Sequence, residues 1–177
     1  PRRTLVVGTE TGLGRALVAA MPGAAGLATA ALSPDAVSLV DLSAYDTIVS
    51  AHGDLASGLP GSSLGRDGWA AAAARAHRLT DIARRHHLRY VHVSSDCDFE
   101  RAAPTHDEDD PLSLRERHGQ ALAAAELVAG SVPRHLIVRT GWVVGVGEGF
   151  VEDVVAAARR GERRDVIGDQ YGRLTFA

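Results

Sequence analysis

The segment that most constrains this chain is LVVGTETGLGRAL, from Leu5 to Leu17. A short apolar run meets Gly8, Gly12 and Gly14, and a helical pattern begins at once at Arg15. The spacing is G-x-x-x-G-x-G rather than G-x-G-x-x-G, so the glycines alone say little. Their place after a first strand and before a helix gives them meaning. Glycines there allow a tight turn and let backbone N–H groups approach a diphosphate, which the helix N-terminus favours electrostatically. A βα turn that binds nothing needs the same glycines for packing alone.

The rest of the chain repeats that alternation. Strands are expected at Thr4–Val7, Gly26–Leu32, Val37–Val40, Thr47–Ala51, Arg89–Ser94 and His135–Arg139. Helices are expected at Gly14–Ala20, Trp69–Arg85, Arg115–Ala129 and Phe150–Arg160. Several strands are unbroken apolar runs, which suits a parallel sheet covered on both faces. Strands alternating with helices predict an α/β, doubly wound, Rossmann-type sheet. A Gly/Ser-rich loop, Asp54–Asp67, precedes the long helix, and an acidic loop, His106–Asp110, precedes Pro111. The length of 177 residues suits one domain, read as a single NAD(P)-binding unit over 1–177.

In such a fold a first-turn glycine cluster implies NADP or NAD. Gly8, Gly12, Leu13, Gly14 and Arg15 would line the diphosphate. Asp35 stands at a plausible distance for the acid that holds the ribose hydroxyls. Arg15 would suit a 2′-phosphate, and both cofactors stay open.

Composition excludes other classes. Charged residues make up 23% and the net charge is -3, which leaves no electrostatic footprint for nucleic acid. No apolar run reaches membrane-spanning length. The opening PRRTLVVG reads as a first strand, not a leader, and the lone Cys97 fits a reducing cytoplasm. All 19 basic residues are arginine. A chain without lysine has no lysine Schiff base, no lysine general base and no Tyr-x-x-x-Lys pair.

The later segments VHVSSDCDFE, EDDPLSL, HGQALAAAEL, HLIVRTGWVVG and DQYGRLTFA resemble the dTDP-4-dehydrorhamnose reductase family, extended short-chain dehydrogenases/reductases acting on nucleotide-linked deoxysugars. The likeness is specific from Tyr90 to Ala177 and looser before it. It implies a Rossmann sheet followed by a small substrate lobe. The chain ends where that lobe would form, so most of the lobe is expected to be absent. GRLTFA either docks as a strand or leads into further chain. Asp41-Leu42, read as closing the third strand, is similar to the family's adenine-contacting pair, and Ala51 closes the cofactor list.

The resemblance carries over little catalytic machinery. The family's carbonyl-binding Ser/Thr falls on Ser95 and is kept. Its tyrosine falls on His118, its lysine on Leu122 and its bracing asparagine on Ala72. Asp98 puts a charge where the family has an aliphatic residue. His118 titrates near neutrality and is a natural proton donor or acceptor; equally, it is an ordinary helix residue. Asp169, Gln170 and Thr175 match a cleft-lining segment of the family, and Trp142 is expected in the core. Asp96, Cys97, Asp98, His106 and His118 have no metal-ligand spacing, so no metal is expected.

Three functions remain open at this level. One is an enzyme of altered, non-redox acid/base chemistry on a sugar nucleotide or specialised metabolite, using Ser95, His118 and Asp98. Another is an NAD(P)H-dependent 4-ketoreductase using Ser95 and His118. The last is a non-catalytic binding or regulatory subunit. A small-molecule substrate is expected, no nucleic acid and no membrane, with a second copy or a partner enzyme both open as partners.

Overall fold

A computed structural model describes residues 3–32, 40–51, 66–96, 99, 105–112, 114, 117–145, 147, 149–165 and 172–177; within these, the side chains of 66–69 and 117–118 lie outside the description. Five strands make one parallel sheet: β1 (Thr4–Val7), β2 (Ala25–Leu27), β3 (Thr47–Ser50), β4 (Arg89–Ser95) and β5 (His135–Thr140), in the order β2-β1-β3-β4-β5. The helices are α1 (Gly12–Ala20), α2 (Arg66–Arg85), α3 (Arg117–Ala129) and α4 (Phe150–Arg159). From β1 the chain crosses to one side for β2 and to the other for β3. That reversal opens a crevice beyond the carboxyl ends of β1 and β3, where this architecture binds ligands.

Period-two alternation splits each strand between two cores. Leu5, Val7, Ile48 and Tyr90 bury against Leu79 and Ala83 of α2 and Ala129 of α3. Val6, Val49 and Ala51 bury on the other face with Leu13, Leu17 and Val18 of α1. Each fully buried aliphatic side chain contributes about 1.5–3 kcal/mol. The alanines that crowd α2 and α3 have a packing role: Ala76, Ala83, Ala121 and Ala125 are all buried. Small side chains there let the two helices and the sheet approach closely.

A further pair, β6 (Trp142–Val144) and β7 (Leu174–Phe176), forms a parallel two-stranded sheet. The Ala177 N–H donates to the Val144 carbonyl at 3.2 Å, and the Gly141 N–H donates to Thr175 Oγ1 at 3.1 Å. GRLTFA therefore docks as a strand.

Several expectations need correction. The strand expected over Gly26–Leu32 stops at Leu27, and Thr29–Leu32 turns into a 3-10 helix. Helix propensity in the alanine-rich ATAAL outweighs the apolar continuity. Of Val37–Val40 only Val40 is described, and it lies in a bend. Asp41-Leu42 does not close a strand; Asp41 caps a 3-10 helix, Leu42–Ala44, by accepting the Ser43 N–H. α1 begins two residues before the expected Gly14, because Thr11 caps it. α2 likewise begins at Arg66 and takes in the end of the expected Asp54–Asp67 loop. Trp142 is only partly buried, edge-on to Phe150 with ring centroids 5.5 Å apart.

Candidate functional site

At the end of β1, Gly8 has φ 108°, a backbone region that side chains disfavour. Its N–H donates to the Leu27 carbonyl at 2.8 Å, tying the loop to the end of β2. Thr11 organises the rest. Its hydroxyl shares one proton between the Gly8 carbonyl at 2.8 Å and the Ala51 carbonyl at 3.0 Å, and it accepts the Gly14 N–H at 3.0 Å. One side chain thus joins the ends of β1 and β3 to the first turn of α1. Gly14 has no alternative: a Cβ there would sit 2.1 Å from the Gly8 carbonyl oxygen. The strand end and the helix start are in backbone contact, and the N-terminus of α1 faces the crevice. Bare backbone at a helix N-terminus fits a diphosphate.

Glu10, at the tip of this loop, carries its carboxylate to the end of β2, where Oε2 accepts the Thr29 N–H at 3.0 Å. Arg15 folds back, its guanidinium donating to the Glu10 carbonyl at 2.7 Å. Burial lowers the pKa of Arg75 on α2, and the charge of Glu10 works against that shift.

Ser95, the last residue of β4, is buried and paired in register with Thr140 of β5. Asp96 follows it half-buried, and burial pushes its carboxyl above the ordinary range. On α3, Leu122 is buried, as is Ala72 on α2. The backbone of His118 lies in the first turn of α3, and its side chain is outside the described residues.

A second polar cluster sits between β4, β5 and α3. Glu126 is buried and takes a forked ion pair from Arg139, with Nε 3.0 Å from Oε1 and a terminal guanidinium nitrogen 2.8 Å from Oε2. Another guanidinium nitrogen reaches the Glu108 carbonyl at 3.0 Å, and the guanidinium carbon stands 4.9 Å from the Phe99 ring centroid. Phe99 in turn stacks on His106, which pairs with Asp110 at 2.9 Å. Nearby, the Tyr90 hydroxyl lies 3.2 Å from His92 Nδ1. Burial pulls the His92 imidazole down to about 4, with Glu126 opposing.

The structure gathers Gly8, Gly12, Gly14 and Ala51 at the carboxyl edge, and Ser95 ends the strand next to β3 on that edge. Leu13 packs on the α1 face of the sheet. Leu42 belongs to the hydrophobic core, and Asp41 turns its carboxylate to the Ser43 hydroxyl at 2.6 Å. Asp35, Cys97, Asp98, Asp169 and Gln170 lie outside the described residues. Among the described residues no three His, Cys, Asp or Glu side chains gather as a metal site, and no helix is long and apolar enough to cross a membrane. Sequence reasoning missed Thr11, Glu10 and the Glu126–Arg139 pair. The first was available, since Thr ahead of a helix is a standard N-cap signal. The pair spans 13 positions with no local pattern to reveal it.

Comparison with known proteins agrees with this geometry. The sequence model of the RmlD substrate binding domain matches residues 67–177. A dTDP-4-dehydrorhamnose reductase of Sinorhizobium fredii is 29% identical over 151 residues, which is 82% of this chain and 46% of that protein. The chain therefore spans about half the length of this relative. Among solved structures, a dTDP-4-dehydrorhamnose reductase of Bacillus anthracis in complex with NADP superposes with a TM-score of 0.76 at 18% identity, covering 90% of this chain and 60% of that one. An NAD-dependent NDP-hexosamine 5,6-dehydratase of tunicamycin biosynthesis gives a TM-score of 0.77 at 21% identity, covering 99% and 68%. Both share the fold.

Proposed function

We infer the function from one premise: this chain belongs to the RmlD substrate binding domain family. The reading is a short-chain-dehydrogenase-like protein that holds NAD or NADP at the glycine-loop edge and acts on a nucleotide-linked sugar by acid/base chemistry without net reduction. The observation that carries it is Leu122. A buried aliphatic side chain stands where this family's lysine is expected, in a chain without any lysine. A tyrosine acid tuned by an ammonium group is therefore not available. Ser95 is retained at the edge of the sheet, and Asp96 beside it is a carboxyl biased by burial toward its protonated form.

In this reading Ser95 hydrogen-bonds the reacting oxygen of the sugar. His118 and Asp98, assigned from sequence, move the proton, with Asp96 the further carboxyl at that strand end. A bound nicotinamide would withdraw hydride and return it within one turnover, leaving its redox state unchanged; the side chains orient the sugar and handle its protons. Dehydration, epimerisation or cyclisation needs these groups and no Tyr–Lys pair. The fold shared with an NAD-dependent dehydratase supports the choice. A second reading, a 4-ketoreductase using Ser95 and His118, is favoured by the reductase relative. A non-catalytic binding subunit is favoured by the apolar residues at positions 72 and 122.

The deciding experiment incubates the purified chain with nucleotide sugars and each dinucleotide, following products by mass spectrometry and cofactor redox state by absorbance. Product at constant nicotinamide absorbance, lost in His118→Ala and Ser95→Ala, is expected. Steady NAD(P)H consumption with a 4-keto sugar nucleotide overturns this in favour of the reductase. Dinucleotide binding with no product from any sugar overturns it in favour of the subunit.

A further inference from the structure

We propose that Glu10 is the ribose-recognition residue of the dinucleotide site and that it selects NAD(H) over NADP(H). The proposal rests on the reading that this edge holds a dinucleotide.

In a doubly wound fold the adenosine ribose lies beyond the carboxyl end of the second strand, and an acidic residue there accepts its hydroxyl protons. Here β2 ends at Leu27. Among the described residues, a carboxylate from the glycine loop lies at that end. Glu10 Oε2 accepts the N–H of Thr29, two residues past the strand. The loop is fixed in this position by the Gly8 and Thr9 N–H groups, which donate to the Leu27 carbonyl at 2.8 and 3.3 Å. Glu10 thus follows two residues tied to β2, and its own carboxylate is tied to the turn after β2. A pinned, exposed carboxylate is preorganised to accept a hydroxyl proton.

The neighbouring arginines decide less than their number suggests. Arg15 spends a guanidinium N–H on the Glu10 carbonyl, so it braces the loop. Arg75 is partly buried on α2, and the charge it senses there is that of Glu10. Arg15 is oriented on Glu10 by its hydrogen bond, and Arg75 is near enough to feel the Glu10 charge. A 2′-phosphate entering this position has no proton to donate to the carboxylate and brings like charge against it. A 2′-hydroxyl donates to it directly. Arg15 braces the selector, and the carboxylate sets the preference.

The test is calorimetric titration of the full chain with NAD+ and NADP+, repeated on Glu10→Gln. Glutamine keeps an acceptor for the Thr29 N–H, so the loop persists while the charge is lost; a thermal melt checks the fold. NAD+ is expected to bind wild type at least about tenfold more tightly than NADP+, a difference of about 1.4 kcal/mol. In Glu10→Gln that preference should shrink to within about threefold, with NADP+ gaining and NAD+ losing affinity. NADP+ binding wild type as tightly as NAD+ overturns the assignment. So does an unchanged ratio in a folded Glu10→Gln, which leaves the dinucleotide reading standing. No binding of either cofactor by folded wild type sinks both.

Discussion

The glycine-loop edge and the cluster under α3 are built in opposite ways. At the loop, geometry comes from removing side chains: Gly14 lets helix meet strand, and the Thr11 hydroxyl ties the ends of β1 and β3 to the first turn of α1. At the cluster, geometry comes from adding charge: buried Glu126 and the forked Arg139 tie α3 to β5. The joints between strand and helix in the first region are backbone and hydroxyl groups, which do not titrate at any ordinary pH. The second depends on ionisation states in a place with little water. Within one sheet, a rigid edge for a ligand lies two strands from an electrostatically poised wall.

The largest test of that contrast is Glu126→Ala. Arg139 would remain partly buried without its counter-ion, and removing one partner of a buried pair costs about 3–5 kcal/mol. Urea unfolding should show the midpoint fall steeply. If the cost comes from the stranded charge, Glu126→Leu with Arg139→Met should recover most of it, since apolar replacement of both partners is close to neutral. A double variant as unstable as the single one would show that the cluster works by shape, as the loop does.

Gly14→Ala tests the other side. The added Cβ would meet the Gly8 carbonyl oxygen at 2.1 Å, a backbone atom that moves only if β1 and α1 separate. Overpacking of this kind costs about 1–3 kcal/mol, and rigid backbone on both sides places this case at the upper end. Dinucleotide affinity should fall further than stability, because the helix N-terminus is displaced. Stability unchanged from wild type would mean that the loop is softer than its hydrogen bonds imply.

These two sites also differ in how far the sequence disclosed them. The strand–glycine–helix order is local, so β1, its loop and α1 were readable, apart from the Thr11 cap that starts α1 earlier. β4 and β5 were readable for the same reason, with ends off by one residue at Ser95 and Thr140. Short elements were not. ATAALS reads as apolar continuity, yet four of its residues close into a 3-10 turn. β6 and β7 are three residues each and exist because they pair with one another, a contact 32 positions apart in register that no local pattern encodes. The proposed catalytic positions were reached through family likeness; Leu122 lies on the helix expected, and Ser95 extends the expected strand by one residue. Glu126 and His92 look ordinary in sequence; only the packing of α3 on the sheet makes their chemistry unusual.

His92 gives the finest measure of the contrast, because pH acts on the cluster and spares the loop. Burial, opposed by Glu126, puts the folded-state pKa at about 4, against 6.5 in the unfolded chain. Between those values the unfolded chain takes a proton that the folded chain refuses, so stability is intact above about pH 6.5 and is lost as pH falls toward 4. At pH 5 the loss is about 2 kcal/mol relative to neutral pH. Asp96 acts in the opposite sense: its raised pKa favours the folded state as its carboxyl protonates, which trims the loss at the acid end. His92→Gln should flatten the urea midpoint between pH 5 and 7 while leaving the loop's amide protection unchanged. Equal acid sensitivity in His92→Gln would place the titrating group elsewhere. Loop amides that opened together with β4 amides would show that edge and wall are one cooperative unit, and their opposite construction would then matter for ligand chemistry alone.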